Sequence, residues 1–186
     1  MLRAFIAINI PGEYLRPISV LLEDLMSSNA AVRWVKAGSI HLTLKFLGNI
    51  KEEQVHEIAS KIKNTVGKYP PFELRVEGCG AFPSLRNPRV IWLGVHGALE
   101  KLKSLQSELE QGLIPLGFSP EKRSFRAHLT VGRVKGARGK KKLIALLEEK
   151  AGFSLEPFMV REVVFFKSDL KPTGAVYTPL EEIPLK

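Results

Sequence analysis

Polar and apolar residues alternate along some stretches of the chain and recur at helical spacing along others, and the two periods take turns from one end to the other. Residues 2–9 read as a strand. Pro11-Gly12 then turns into a helical stretch marked by Ile18, Leu21, Leu22 and Leu25, which ends near Ser27-Ser28-Asn29. From Ile40 to Gly48 the alternation is clear, with Leu42, Leu44 and Phe46 on one parity and His41, Thr43 and Lys45 on the other. This predicts a strand with one apolar and one polar face. Val55, Ile58, Ile62 and Val66 predict a helix over 51–67, stopped by Gly67 and Pro70-Pro71. Two strand-like runs, 72–82 and 89–95, flank a turn-rich segment at 83–88 and read as a long hairpin. Leu99, Leu102, Leu105, Leu109 and Leu113 predict a long amphipathic helix over 98–114. A strand over about 125–134, a loop at 136–139, a short helix near 141–150 and strands at 160–167 and 175–180 follow, the last two joined by 168–174.

Several neighbouring strands look hairpin-linked, so the expected fold class is α+β with largely antiparallel sheets rather than a doubly wound parallel sheet. One element returns: His41-Leu42-Thr43 reappears as His128-Leu129-Thr130, each inside a strand pattern. The two copies fall at corresponding places in the two halves of the chain, and no linker separates the halves. The expectation is a single domain, residues 1–186, made of two similar lobes related by a pseudo-twofold. Helices would lie on the outer faces, with both His-Thr faces lining a central cleft.

A His and a Thr two positions apart on a strand share a face, with Cα atoms about 6.5–7 Å apart, so both can touch one small anion. A single His-x-Thr is a weak motif, and a solitary strand histidine is more often structural. Repetition changes this. With four His and five Thr in the chain, the chance that two of the histidines carry Thr two positions on is roughly 6 × (5/186)², below about 1%. Two imidazoles flanking a phosphodiester can act as base and acid, because the ordinary pKa of His lies near the working pH. The Thr hydroxyls would donate to non-bridging oxygens, where charge concentrates. This chemistry requires no metal and no cofactor. From the residues alone the two histidines are interchangeable in role.

Composition narrows the class without naming the chemistry. A hydrophobic fraction of 45% with 25% charged residues is globular. The single cysteine, Cys79, excludes an internal disulfide and a thiolate-rich zinc site, and points to a reducing, cytoplasmic setting. No apolar run is long enough for a membrane span. A net charge of +9 favours a polyanionic partner, and the chain is expected to be a monomer. Zinc held by His41, His56, His96 and His128 lacks the short His spacing and nearby carboxylate of hydrolytic sites. Neither a Gly-x-x-x-x-Gly-Lys loop nor a Gly-x-Ser-x-Gly elbow occurs.

The motif stretches, His41-Leu42-Thr43-Leu44-Lys45-Phe46-Leu47-Gly48 and Phe125-Arg126-Ala127-His128-Leu129-Thr130-Val131-Gly132-Arg133, resemble the paired signatures of the two-histidine phosphoesterases. The resemblance is closest to the RNA 2′,3′-cyclic phosphodiesterases, also called 2′-5′ RNA ligases. Further agreement comes from residues 3–8, 80–83, 88–92, 168–170 and 174–177, so the likeness spans nearly the whole chain. Ala127 departs from the pattern, since members often have Pro before the second His; only local stiffness should change. The resemblance implies metal-independent opening of a terminal 2′,3′-cyclic phosphate to a 2′-phosphate, on RNA or a small cyclic nucleotide. It implies His41 as proton donor and His128 as proton acceptor, with Thr43 and Thr130 beside them. Two rivals are ligation of RNA ends through a 2′-5′ bond and a non-catalytic RNA-binding module.

Three residues are candidates for binding substrate. Phe46 lies on the apolar parity and is expected in the core, whereas the resemblance places it near the nucleobase. Arg133 also lies on the apolar parity, where a buried guanidinium is costly, and Gly132 could let the strand bend to aim it at the phosphate. Lys45 shares the parity of His41 and Thr43. The basic run Lys135, Arg138, Lys140, Lys141 and Lys142 reads equally as a solvated helix start and as an RNA-backbone contact.

Overall fold

Alternation and helical spacing produce elements close to those expected. The computed structural model describes residues 1–172 and 174–186. Its strands are β1 (Leu2–Asn9), β2 (Val32–Trp34), β3 (His41–Ile50), β4 (Phe72–Pro83), β5 (Pro88–Gly97), β6 (His128–Val134), β7 (Phe158–Val160), β8 (Glu162–Lys171) and β9 (Gly174–Pro184). Its helices are α1 (Leu15–Met26), α2 (Val55–Val66), α3 (Leu99–Leu113) and α4 (Lys140–Glu149).

The fold is α+β and its sheet is antiparallel throughout the described pairs, in the order β7-β4-β5-β6-β3-β1-β8-β9, with β2 added to the free part of the β6 edge. The halves of the chain correspond element by element. β1-α1-β3-α2-β4 matches β5-α3-β6-α4-β8, and each half sends its last strand across to pair with the first strand of the other: β4 lies on β5, and β8 on β1. The lobes are thus the two halves of one curled sheet. They meet at β3 and β6, whose register includes a single Cα partner pair, Leu42 with Leu129, because β2 occupies the rest of that β6 edge.

The buried side chains of all four helices join one core with Ala4, Ile6, Ile8, Leu42, Leu44, Leu129 and Val131. The other parity of β1, Phe5 and Ala7, packs with Val164, Phe166 and Tyr177 in a separate small cluster. Strand β1 is therefore buried on both faces, which is why it reads as a nearly continuous apolar run. Helices cover one face of the sheet, and the second face carries the small aromatic cluster.

Three differences from the sequence reading have local causes. The run 160–167 is not one strand. Arg161 and Glu162 are both exposed and break the alternation, so Phe158–Val160 pairs with β4, while β8 begins at Glu162 and pairs with β1 through residues 164–167. The three-residue strands β2 and β7 are too short for a period to register. The β8–β9 ladder also runs on to Lys171 and Gly174 through most of the expected 168–174 connection; Thr173 lies outside the described residues.

Candidate active site

The pairing of Leu42 with Leu129 decides the site. Both leucines face the core, so His41, Thr43, His128 and Thr130 all face the helix-free side. In an antiparallel register this places His41 beside Thr130 and Thr43 beside His128. The two imidazoles occupy one diagonal, where β-carbons are ordinarily about 7–8 Å apart or somewhat less. The His-Thr pairs therefore stand side by side on adjacent strands rather than facing each other across a gap between two sheets.

Each imidazole is held in the same way. His41 Nδ1 donates to the Ser39 carbonyl at 2.9 Å, and His128 Nδ1 donates to the Arg126 carbonyl at 2.7 Å. A carbonyl can only accept, so each bond requires the proton on Nδ1 and leaves Nε2 for chemistry. The surroundings differ. His41 lies against Phe5 (centroids 4.7 Å apart) and meets Tyr177 edge-on at 5.1 Å. Burial lowers its pKa below the ordinary imidazole value, and the Ser39 carbonyl opposes that shift. His128 meets the edge of Phe82 at 5.1 Å, with the Arg126 guanidinium 5.8 Å from the Phe82 ring centre. Phe82 and Phe166 occupy equivalent places in the two halves, opposite Val90 and Phe5 respectively.

Matching β-bulges decide the fate of Phe46, Lys45 and Arg133. On β3, Ala7 pairs with Thr43 and Ile6 with Lys45, which leaves Leu44 as the extra residue. On β6, Trp92 pairs with Thr130 and Ile91 with Gly132, which leaves Val131 as the extra residue. A bulge shifts every later side chain to the opposite face. Phe46 is therefore 62% exposed on the site face, not in the core. Arg133 is exposed on the same face, and the reversal begins at Val131, one residue before Gly132. Gly132 serves another purpose: a Cβ there would come within 2.8 Å of Val32 and 3.0 Å of Trp34 on the core side.

Lys45 is a correction. The bulge turns it away from His41 into the core, where it is 6% exposed. Its ammonium ion-pairs with Glu110 and donates to the Ser119 carbonyl at 3.0 Å. It cannot reach a substrate on the opposite face. Glu110 also accepts from Gln106 (3.1 Å) and from the Glu121 backbone N–H (3.2 Å), and Gln106 donates to the carbonyl of the bulged Leu44 (3.3 Å). This network ties the β3 bulge to the segment leading into His128.

Sequence reasoning did not single out Phe5, Phe82, Phe166 and Tyr177 as site residues. For Phe5, Phe82 and Phe166 the signal was the second apolar parity of strands already buried on the first; Tyr177, on the largely exposed β9, carried none. Tyr177 has a raised pKa, chiefly from burial, with Arg133, Arg3 and Arg33 acting against the shift. Three guanidinium groups thus lie near the ring that borders His41. The end of the basic run lies on the helical side: Lys142, in α4, donates to the Ser27 carbonyl at 2.7 Å, where α1 ends. Burial pushes the Cys79 thiol up to about 11, and it donates to backbone carbonyls of Leu147 and Lys150, as a structural cysteine would. His56 is exposed on α2. No described helix is long and apolar enough to cross a membrane.

Known proteins resemble this chain in sequence and in fold. The profile of the LigT-like phosphoesterases matches the chain twice, over residues 8–92 and 93–177, in step with the duplicated strands. The RNA 2′,3′-cyclic phosphodiesterase of Methanothermobacter thermautotrophicus is 37% identical over 179 residues, covering 96% of each chain. The protein of the same name from Thermotoga maritima is 37% identical over 182 residues, covering 97% of this chain and 94% of its own. The crystal structure of E. coli LigT complexed with 3′-AMP superposes with a TM-score of 0.77 at 25% identity, covering all of this chain and 98% of the other. With the family profile matched across both halves, and with relatives above one third identity over nearly their full length, the chain belongs to the LigT-like phosphoesterase family.

Proposed function

We propose that this protein is a metal-independent RNA 2′,3′-cyclic phosphodiesterase that opens a terminal cyclic phosphate to a 2′-phosphomonoester. The observation that carries the reading is the pair of diagonal imidazoles, each with Nδ1 tied to the carbonyl two residues before it, so that both Nε2 atoms are free for one substrate. The relatives' names and the 3′-AMP bound by E. coli LigT agree with a nucleotide end as substrate.

In this scheme His128 Nε2 takes a proton from water as the oxygen attacks phosphorus. The P–O3′ bond breaks, and His41 Nε2 gives its proton to the departing 3′ oxygen. One proton moves onto His128 and one leaves His41, and exchange with solvent resets the pair. Thr43 and Thr130 donate to non-bridging oxygens, and Arg133 adds positive charge at the phosphate. The burial that lowers the His41 pKa disfavours its charged form in the free protein; the bound phosphate anion supplies the opposite charge that restores it.

Incubating an oligonucleotide that ends in a cyclic phosphate with the protein and excess chelator tests the activity. A 2′-phosphate product is expected. No product, or product only without chelator, overturns the proposal, and dominant joining to an added 5′-hydroxyl RNA would make ligation the main reaction. Phe46→Ala is expected to weaken substrate binding by about 1–3 kcal/mol through lost base stacking, read as a higher KM with kcat little changed. An unchanged KM would return Phe46 to a surface role.

A further inference from the structure

The equivalent positions Phe46 and Arg133 give the site chemically different ends. The motif strands run antiparallel, so the residue after the bulge lies beyond Thr43 at one end and beyond Thr130 at the other. The first position is aromatic and the second cationic. The cationic end also holds β2, a strand with no counterpart in the second half, where no described strand lies between α3 and β6. Within β2, Arg33 pairs directly with Arg133. Val32 and Trp34 face the core side, where they would meet a Cβ on Gly132, so Arg33 stands on the site face beside Arg133. Both arginines are exposed, and neither has a carboxylate partner among the described residues. Like charges directly opposite on paired strands repel. Anions bound at this end, the reacting phosphate by Arg133 and a second one by Arg33, remove that penalty.

We propose that Arg33, beside Arg133, forms a second anion subsite that receives the phosphate on the 5′ side of the terminal nucleotide, so that the protein selects RNA ends and 5′-phosphorylated nucleotides over bare nucleoside cyclic phosphates. The inference rests on the phosphodiesterase reading above and adds a polarity to it. The base lies toward Phe46, the cyclic phosphate lies between the histidines, and the upstream chain leaves across β2. Arg33 is three positions beyond the level of His41 and Thr130, one of them taken up by the bulge, so the step is on the order of 7 Å along the strand. That is one nucleotide's reach from the reacting phosphorus. A guanidinium suits the task because its fork of donors matches two phosphate oxygens.

The test compares three substrates: adenosine 2′,3′-cyclic phosphate, the same nucleotide with a 5′-phosphate, and a dinucleotide ending in a cyclic phosphate. Wild-type protein should show kcat/KM at least about tenfold higher for the two that carry the upstream phosphate, a preference that shrinks as salt rises. In Arg33→Gln the ratio should fall toward one, mainly through KM. Because Arg33 is exposed, this substitution should leave folding intact. A wild-type ratio near one, a ratio that survives Arg33→Gln, or an equal loss on all three substrates would overturn the subsite; equal loss would mean that Arg33 acts on the reacting phosphate. If the wild type opens none of them, the phosphodiesterase reading fails, and equilibrium binding of adenosine 5′-monophosphate to the two proteins decides the subsite alone: equal affinities refute it.

Discussion

Replacing His128 or His41 with alanine is expected to slow opening of a 2′,3′-cyclic phosphate by about 10²–10⁴-fold each, the usual contribution of a positioned acid or base. The wild-type rate should rise and then fall with pH, because the proposed scheme needs His128 neutral and His41 charged at once. The signs follow from the surroundings of His41. Burial favours its neutral form, so in kcat/KM, which reports the free protein, loss of its proton should move the profile toward lower pH than an unburied imidazole would give. A bound phosphate anion favours the charged form, so the alkaline limb of kcat should lie at higher pH than that of kcat/KM. The limbs belong to the coupled pair, so mutation must separate them. His128→Ala should erase the acidic limb of the residual rate, and His41→Ala the alkaline one. A substrate with sulfur in place of the bridging 3′ oxygen leaves without needing a proton, and should rescue His41→Ala far more than His128→Ala. Equal rescue of both variants would reject the assignment of roles.

The second large effect lies on the other face of the sheet. Glu110→Leu removes the counter-charge of buried Lys45 and leaves its ammonium with the Ser119 carbonyl. Breaking a buried pair in this way typically costs about 3–5 kcal/mol, because one charge stays desolvated and unpaired. The folded-to-unfolded ratio would then fall by about 10²–10⁴. The double substitution Lys45→Met with Glu110→Leu should recover much of that loss, since an apolar pair of similar volume avoids the desolvation. Denaturant midpoints at constant slope measure both. A loss no larger than the 1 kcal/mol or so of an exposed pair would show that water reaches the site. Because Gln106 and Glu110 also hold the Leu44 bulge and the Glu121 N–H, the single variant should raise KM in the same direction as Phe46→Ala.

What the chain declares in one dimension is its periodicity. Leu42 and Leu129 each sit between a His and a Thr, so burying the leucines forces both polar pairs onto the same side of their strands. Helical spacing placed α1, α2, α3 and α4 within a few residues, and the recurrence of His-Leu-Thr located the two halves and the four central site residues. These features are local: they depend on residues two, three or four apart.

The rest depended on which strand lies beside which. Parity reasoning put Phe46 and Arg133 with the core residues and Lys45 with His41, and all three faces are reversed by bulges at Leu44 and Val131. A bulge arises where two strands of different local length must stay paired, so it is a property of the pair and leaves no mark on the period of either strand. The split at Arg161 sends two strands to opposite ends of the sheet, and only the finished ladder reveals their partners. The aromatic walls come from four separate strands: Phe5, Phe82, Phe166 and Tyr177 meet the histidines only because β1, β4, β8 and β9 fold around β3 and β6. The sequence by itself determined which residue types could do the chemistry and on which face each motif would present them. Tertiary structure alone decided that the two motifs would be neighbours, which imidazole would be the more enclosed by aromatic rings, and which cations would share the face of the histidines, because each of these depends on contacts between residues far apart in the chain.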